Sequence, residues 1–137
     1  MSADAGVRDV KLGEVRRILE ADVISSNFSA NLEAEAGCGA DLLSDVLTFT
    51  HAGTLLLTGL TNPHVIVTAE VVGIIAVVFV RGKAPPTVTV RQAEERNIPL
   101  LTTRYTMFEA CGRLYAAGLP GCDRWLPPHR HVTPVGM

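Results

Sequence analysis

Aromatic side chains are scarce in this chain, 5% of its 137 residues, so its core has to be built from aliphatic groups. Cysteine is scarce too. Cys38, Cys111 and Cys122 are odd in number and widely spaced, which argues against a disulfide framework and for a reducing, cytoplasmic setting. Positive charge is not in excess: 12 Lys and Arg stand against 14 Asp and Glu, for a formal net charge of -2 and a pI near 6.0. The densest basic stretches are Arg81 with Lys83 and the segment 124–131, too little for a duplex-binding footprint, so no nucleic-acid partner is expected. Long apolar runs are missing. The longest, residues 71–80, is about half the ~20 residues that span a bilayer, and no membrane partner is expected. The first residues, Met1-Ser-Ala-Asp-Ala-Gly-Val, lack a basic region followed by an apolar run, so no signal peptide is expected either.

What is present is the composition of a globular domain, 47% hydrophobic and 19% charged. The length suits one domain and is too short for two enzyme domains with a cleft between them. Residues 11–21 place Leu12, Val15, Ile18 and Leu19 on one side at helical spacing. A brief strand is expected at 22–25, and in 31–36 Leu32, Ala34 and Ala36 alternate with Asn31, Glu33 and Glu35 as in a half-exposed edge strand. A helix over 40–50 follows, with Asp41 in its first turn and Leu42, Leu43, Val46, Leu47 and Phe49 at helical spacing. Then come a strand at 54–58, a helix from Pro63 to about Val72 ended by Gly73, and the continuous apolar run 74–80, the expected central strand. Residues 87–90 alternate like a strand while 90–96 favour helix; helix is chosen, with Asn97 beyond its end, leading to a strand at 98–102. Thr106-x-x-Glu109 is a capping box ahead of the last helix, which Gly118 and Pro120 stop.

This alternation predicts an α/β fold in three layers, a mainly parallel sheet with helices on both faces. Residues 1–118 are read as a single α/β domain and 119–137, with Pro120, Pro127, Pro128 and Pro134, as an irregular C-terminal tail.

In open parallel sheets, ligands meet the chain at the carboxyl ends of the strands. The candidates there are Gly37 and Gly39 in a glycine turn, Gly59, Thr61 and Asn62 after the next strand, Arg81 and Lys83 after the central one, and Thr102 and Thr103 after the last. Glycine turns, cations and exposed N–H groups of helix starts together describe a crevice that tolerates anions. Each residue also has an ordinary use, glycine in turns and Thr or Asn as caps. No complete G-x-G-x-x-G fingerprint exists, since Leu42 holds the third glycine's place, and no P-loop occurs. Asp41 and Asp45 read as a solvated helix face and His51 and His64 as surface histidines; no G-x-S-x-G elbow exists. Cys122, His129 and His131 are the right kinds of ligand for zinc but lack paired C-x2-C spacing, so no metal site is assigned. Cys111 reads as a small buried hydrophobe.

Gly39-Ala-Asp-Leu-Leu-Ser-Asp-Val-Leu47, Thr58-Gly-Leu-Thr-Asn-Pro63, Thr68-Ala-Glu-Val-Val72, Val78-Phe-Val-Arg-Gly-Lys83, Ile98-Pro-Leu-Leu-Thr-Thr103 and Met107-Phe-Glu-Ala-Cys-Gly-Arg-Leu-Tyr115 resemble the DRTGG domain family over residues 11–119. The resemblance implies an α/β fold similar to the N-terminal, non-catalytic domain of HPr kinase/phosphorylase, and a regulatory setting such as that between CBS domains in pyrophosphatases. Ligand sensing and self-association are the roles it implies. The namesake Asp-Arg-Thr-Gly-Gly stands here as Glu35-Ala36-Gly37-Cys38-Gly39, without its charged and hydroxyl members.

The function expected is thus a non-catalytic regulatory domain that binds a small anionic metabolite or nucleotide and works as a homodimer. Its rivals are an assembly module with no ligand and a small metal-assisted enzyme using His64, Cys38 or the tail. No cofactor is assigned.

Overall fold

A computed structural model describes residues 6–122. Seven strands and five helices run in the order β1 (Val10–Lys11), α1 (Leu12–Ile18), β2 (Asp22–Val23), β3 (Glu33–Ala34), β4 (Ala36–Gly39), α2 (Leu43–Phe49), β5 (Thr54–Thr58), α3 (His64–Val72), β6 (Ala76–Phe79), α4 (Thr87–Glu95), β7 (Leu100–Thr102) and α5 (Met107–Ala116). The main sheet has the order β2-β7-β6-β5-β4, parallel except for β2, which pairs antiparallel with β7. A separate two-stranded ribbon joins β1 to β3. The apolar run that reads as the central strand is β6, in the middle of the five.

Every residue of β5 and β6 is buried, and successive residues serve opposite faces. Leu55, Leu57, Ala76, Val78 and Leu101 pack with Val15 of α1 and Ala110 and Leu114 of α5. Leu56, Val77, Phe79 and Leu100 pack with Val46 of α2, Val65, Ile66 and Ala69 of α3, and Ala93 of α4. The three layers expected from the alternation are therefore present, with α1 and α5 on one face and α2, α3 and α4 on the other. Strand continuity, with both sides apolar, is what makes this arrangement pay for the ordering of so short a chain.

Helix ends follow the punctuation of the sequence. The Asn62 side-chain oxygen accepts from the His64 N–H at 2.9 Å, Gly73 takes φ 89° past α3, Asn97 takes φ 58° past α4, and the Thr106 hydroxyl accepts from the Glu109 N–H at 3.3 Å. In the first turn of α1, Glu14 accepts from the Lys11 N–H and pairs with Arg8 at 2.9 Å; the Arg8 bond, then the Lys11 amide, hold its carboxyl below the usual range.

Three details differ from the sequence reading. The strand expected at 31–36 is interrupted at Glu35: β3 pairs with β1, and β4 starts afresh as the edge of the main sheet. Gly37 and Gly39 consequently lie inside β4 rather than in a turn after it. Asp41 precedes α2, whose first turn holds Asp45 instead, and Leu42, Leu47 and Phe49 are exposed because α2 covers the edge of the sheet and has a neighbouring helix on one side only.

Phe79 is fully buried in the α2–α4 layer. Phe79→Ala is expected to lower unfolding free energy by about 3–5 kcal/mol in urea titration, with the slope unchanged.

Candidate functional site

The sequence points to the carboxyl ends of the parallel strands, and these ends are largely occupied by the protein's own groups. The Asp41 carboxylate accepts from the Gly59 N–H at 2.7 Å and from the Thr58 hydroxyl at 3.1 Å, so it already fills the place offered to an external anion. Asn62 caps α3, and the Thr61 carbonyl accepts from Thr89 at 2.8 Å. The Thr102 hydroxyl donates to the Lys83 carbonyl at 2.7 Å, and that of Thr103, fully inside, to the Leu19 carbonyl at 2.7 Å. Gly59, Thr61, Asn62, Thr102 and Thr103 thus hold the loops in shape.

Arg81 and Lys83 differ from these. The Arg81 N–H donates to the Tyr105 carbonyl at 2.8 Å, the Gly82 N–H to the Thr103 carbonyl at 2.7 Å, and the Lys83 N–H to the Val80 carbonyl at 3.2 Å. The loop after β6 is therefore fixed to the loop after β7, with Arg81 at φ 62°, a conformation that non-glycine residues seldom adopt. Both side chains are exposed, and among the described residues neither makes an ion pair. Arg104 lies on the second of the two loops, beside a polar hollow of about 370 Å³ that Glu20, Asp22 and Tyr105 also line. The Tyr105 hydroxyl donates to Glu20, a bond that raises the phenol above its ordinary pKa, and Arg113 lies 4.1 Å from the centre of its ring. Arg104, like Arg81 and Lys83, is exposed and makes no ion pair among the described residues, so this end of the sheet displays three cations, with Glu20 and Asp22 on the Arg104 side.

The glycines of β4 belong elsewhere. They line an apolar cavity of about 310 Å³ between β4 and α5, together with Leu57, Phe108, Cys111 and Leu119 among others. A methyl group at Gly39 would come within 2.7 Å of the Cys111 sulfur and 2.9 Å of the Met107 sulfur, and one at Gly37 within 3.0 Å of Leu119. Close packing accounts for both glycines, against α5 side chains at Gly39 and against Leu119, beyond the helix, at Gly37. Phe108 and Tyr115, 88% and 72% exposed, stand on the cavity rim instead of filling the core. Cys111 is half-buried, and desolvation raises its thiol pKa.

His64, at the start of α3, and His51 are exposed. Among the described residues no three His, Cys, Asp or Glu side chains gather as a metal site. His129 and His131 lie outside the described residues, as do residues 123–137 of the expected tail; the chain up to Cys122 runs beside β4, where Gly121 bridges to Gly37. Among the described residues no helix is long and apolar enough to cross a membrane.

No family model and no curated protein matches the chain. Among solved structures it is similar to the CBS and DRTGG domains of the regulatory region of Clostridium perfringens pyrophosphatase, a structure complexed with the activator diadenosine tetraphosphate. The TM-score is 0.66 and the identity 19%, over 83% of this chain and 49% of that one. The fold is of the type present in that CBS and DRTGG region. This chain thus spans about half the length of that regulatory region, and the likeness is one of fold.

Sequence reasoning missed two features: Asp41 as an internal occupant of the Gly59 amide, and the cavity between β4 and α5. Neither had a local signal, since each joins segments brought together only by sheet order. Gly39→Ala is expected to cost about 1–3 kcal/mol of stability, less than additively when combined with Cys111→Ala, as a double-mutant cycle by thermal unfolding will show.

Proposed function

We propose that this chain is a regulatory, non-catalytic domain of the DRTGG family that binds a small anionic ligand, a nucleotide or phosphorylated metabolite, at the carboxyl ends of β6 and β7. The observation that carries the reading is the fixed Arg81–Lys83 loop: two exposed cations, unpaired by any described carboxylate, on a backbone already held by three hydrogen bonds. Preorganised cations suit a phosphate because little ordering remains to be done on binding. Thr102 and Thr103 act as supports of that loop, and Gly59, Thr61 and Asn62 as supports of its neighbour. Gly37 and Gly39, on the far side of β5, serve the packing of α5. The fold likeness to a regulatory region solved with a nucleotide activator supports the ligand class. A cytoplasmic location and a homodimer complete the reading.

A second reading is favoured by the outer surface of α2 and α3, where Leu42, Leu47, Phe49 and Val71 are exposed. Such a patch suits an assembly module whose face pairs with a partner or a second copy.

One experiment separates them: thermal unfolding against a panel of nucleotides and phosphorylated metabolites at two protein concentrations. A ligand at 100 times its Kd adds about 2.7 kcal/mol and moves the midpoint by several degrees in a domain of this size. The shift is expected to disappear in the Arg81→Ala, Lys83→Ala double variant, and its survival there refutes the site. A midpoint that rises with protein concentration and ignores every compound favours assembly instead.

A further inference from the structure

We propose that Cys38 and Cys122 form a reversible intramolecular disulfide, so that the edge of the sheet is a redox-sensitive clamp on the chain that follows α5. This is independent of the anion site, and two observations carry it. The first is register. Gly37 and Gly121 form a parallel bridge, with the Gly37 N–H donating to the Pro120 carbonyl at 2.8 Å and the Cys122 N–H to the Gly37 carbonyl at 3.0 Å. One residue further along each chain stand Cys38 and Cys122. Neighbouring parallel segments lie about 4.7–4.9 Å apart, inside the window of roughly 4.4–6.8 Å between Cα atoms that a disulfide requires. The second is the shared hollow: both cysteines line the same space of about 270 Å³ on the α2 side of β4, with Asp45 and Phe49. Cys111 belongs to the opposite side, in the α5 cavity.

All three cysteines carry thiols in this structure. Cys38 is half-exposed and Cys122 is buried, which sets the order of events. The Cys38 thiolate attacks a small-molecule disulfide, breaking its S–S bond and releasing one thiol. The Cys122 thiolate then attacks the Cys38 sulfur of the mixed disulfide and releases the second thiol. Two protein thiols are oxidised, one small disulfide is reduced, and the two protons pass to the released thiols. Cys111, on the opposite side of β4 in the α5 cavity, stays outside the exchange.

The consequence is mechanical. Pro120 and Gly121 form part of the wall of the 310 Å³ cavity, and Gly37 and Cys38 another part. A bond between residues 38 and 122 locks these two walls together covalently, while its reduction leaves them held by non-covalent contacts, the backbone hydrogen bonds at Gly37 among them.

The test uses the full chain equilibrated in buffers of oxidised and reduced glutathione, followed by alkylation and peptide mapping by mass spectrometry under non-reducing conditions. The expected product is lighter by two hydrogens, contains one Cys38–Cys122 cross-linked peptide, leaves Cys111 alkylated, and melts at a higher temperature than the reduced form. Cys111→Ser should leave this pattern intact, and Cys38→Ser should abolish both the cross-link and the rise in Tm. Because the mapping is done on the unaltered protein, a poorly folding variant does not blunt the test. Equal alkylation of all three cysteines throughout the series, a bridge to Cys111, a cross-link between two molecules, or a glutathione adduct that persists on Cys38 would each overturn the proposal.

Discussion

Three successive crossovers that step the same way across the sheet, from β4 to β7, put α2, α3 and α4 on one face and leave the other bare. Everything else in the structure answers to that constraint. Leu55, Leu57, Val78 and Leu101 on the bare face are covered only because α1 arrives before the crossovers begin and α5 returns after they end. To reach its place, α5 must travel back from β7 toward β4 and lie close on the edge strand. The contact admits no side chain at Gly39 and almost none at Gly37, and it leaves the chain beyond α5 alongside β4. The cavity, the glycines and the juxtaposition of Cys38 with Cys122 are three results of one return path.

The same constraint explains the shape of the carboxyl-terminal end. Ligand crevices in open α/β sheets arise where strand order reverses and adjacent loops part to opposite faces. Between β4 and β7 the order never reverses, so the loops stand side by side and bond to each other. Asp41 on Gly59, Thr102 on Lys83 and Gly82 on Thr103 are the outcome. An end closed in this way displays charge on its surface, that of Arg81 and Lys83 included, in place of open amide cradles.

Much of the fold is legible in the sequence because burial on both faces leaves a continuous apolar signature: Leu55 to Leu57 and Val77 to Val80 admit no other reading, and Asn62, Gly73, Asn97 and Thr106 mark helix ends by chemistry that acts within a few residues. What stayed hidden depends on partners distant in the chain. The pattern over residues 31–36 looks like one strand because side-chain alternation continues through Glu35 even though pairing changes from β1 to β5. Gly37 and Gly39 look like a turn because the packing that demands them comes from residues more than sixty positions away. Phe108 and Tyr115 keep helical spacing with Cys111, yet they fall on the rim of a cavity, and periodicity cannot tell a rim from a core. Of the candidate site, the cations were visible as residues; that their loop is fixed was not.

Helix α5 gives the two ends of the molecule a physical connection. It begins just after the loop that fixes Arg81, where Tyr105 is held by Glu20 and stacked under Arg113, and it ends on the segment that runs along β4. A helix of ten residues is stiff on the scale of its own length of about 15 Å, so a displacement at its first turn is carried to its last unless the packing of Ala110 and Leu114 gives way. Coupling between sites needs an element with two arrangements that both sites bias, and stiffness alone does not supply one. The segment 119–122 has the right position for that part. It is joined to β4 by backbone hydrogen bonds at Gly37, it forms one wall of the cavity, and its hold on the sheet is the feature that thiol chemistry at Cys38 and Cys122 would change. On the proposed reading, α5 is the element that links the Arg81–Lys83 loop to the edge at β4, and that link needs no rearrangement of the sheet.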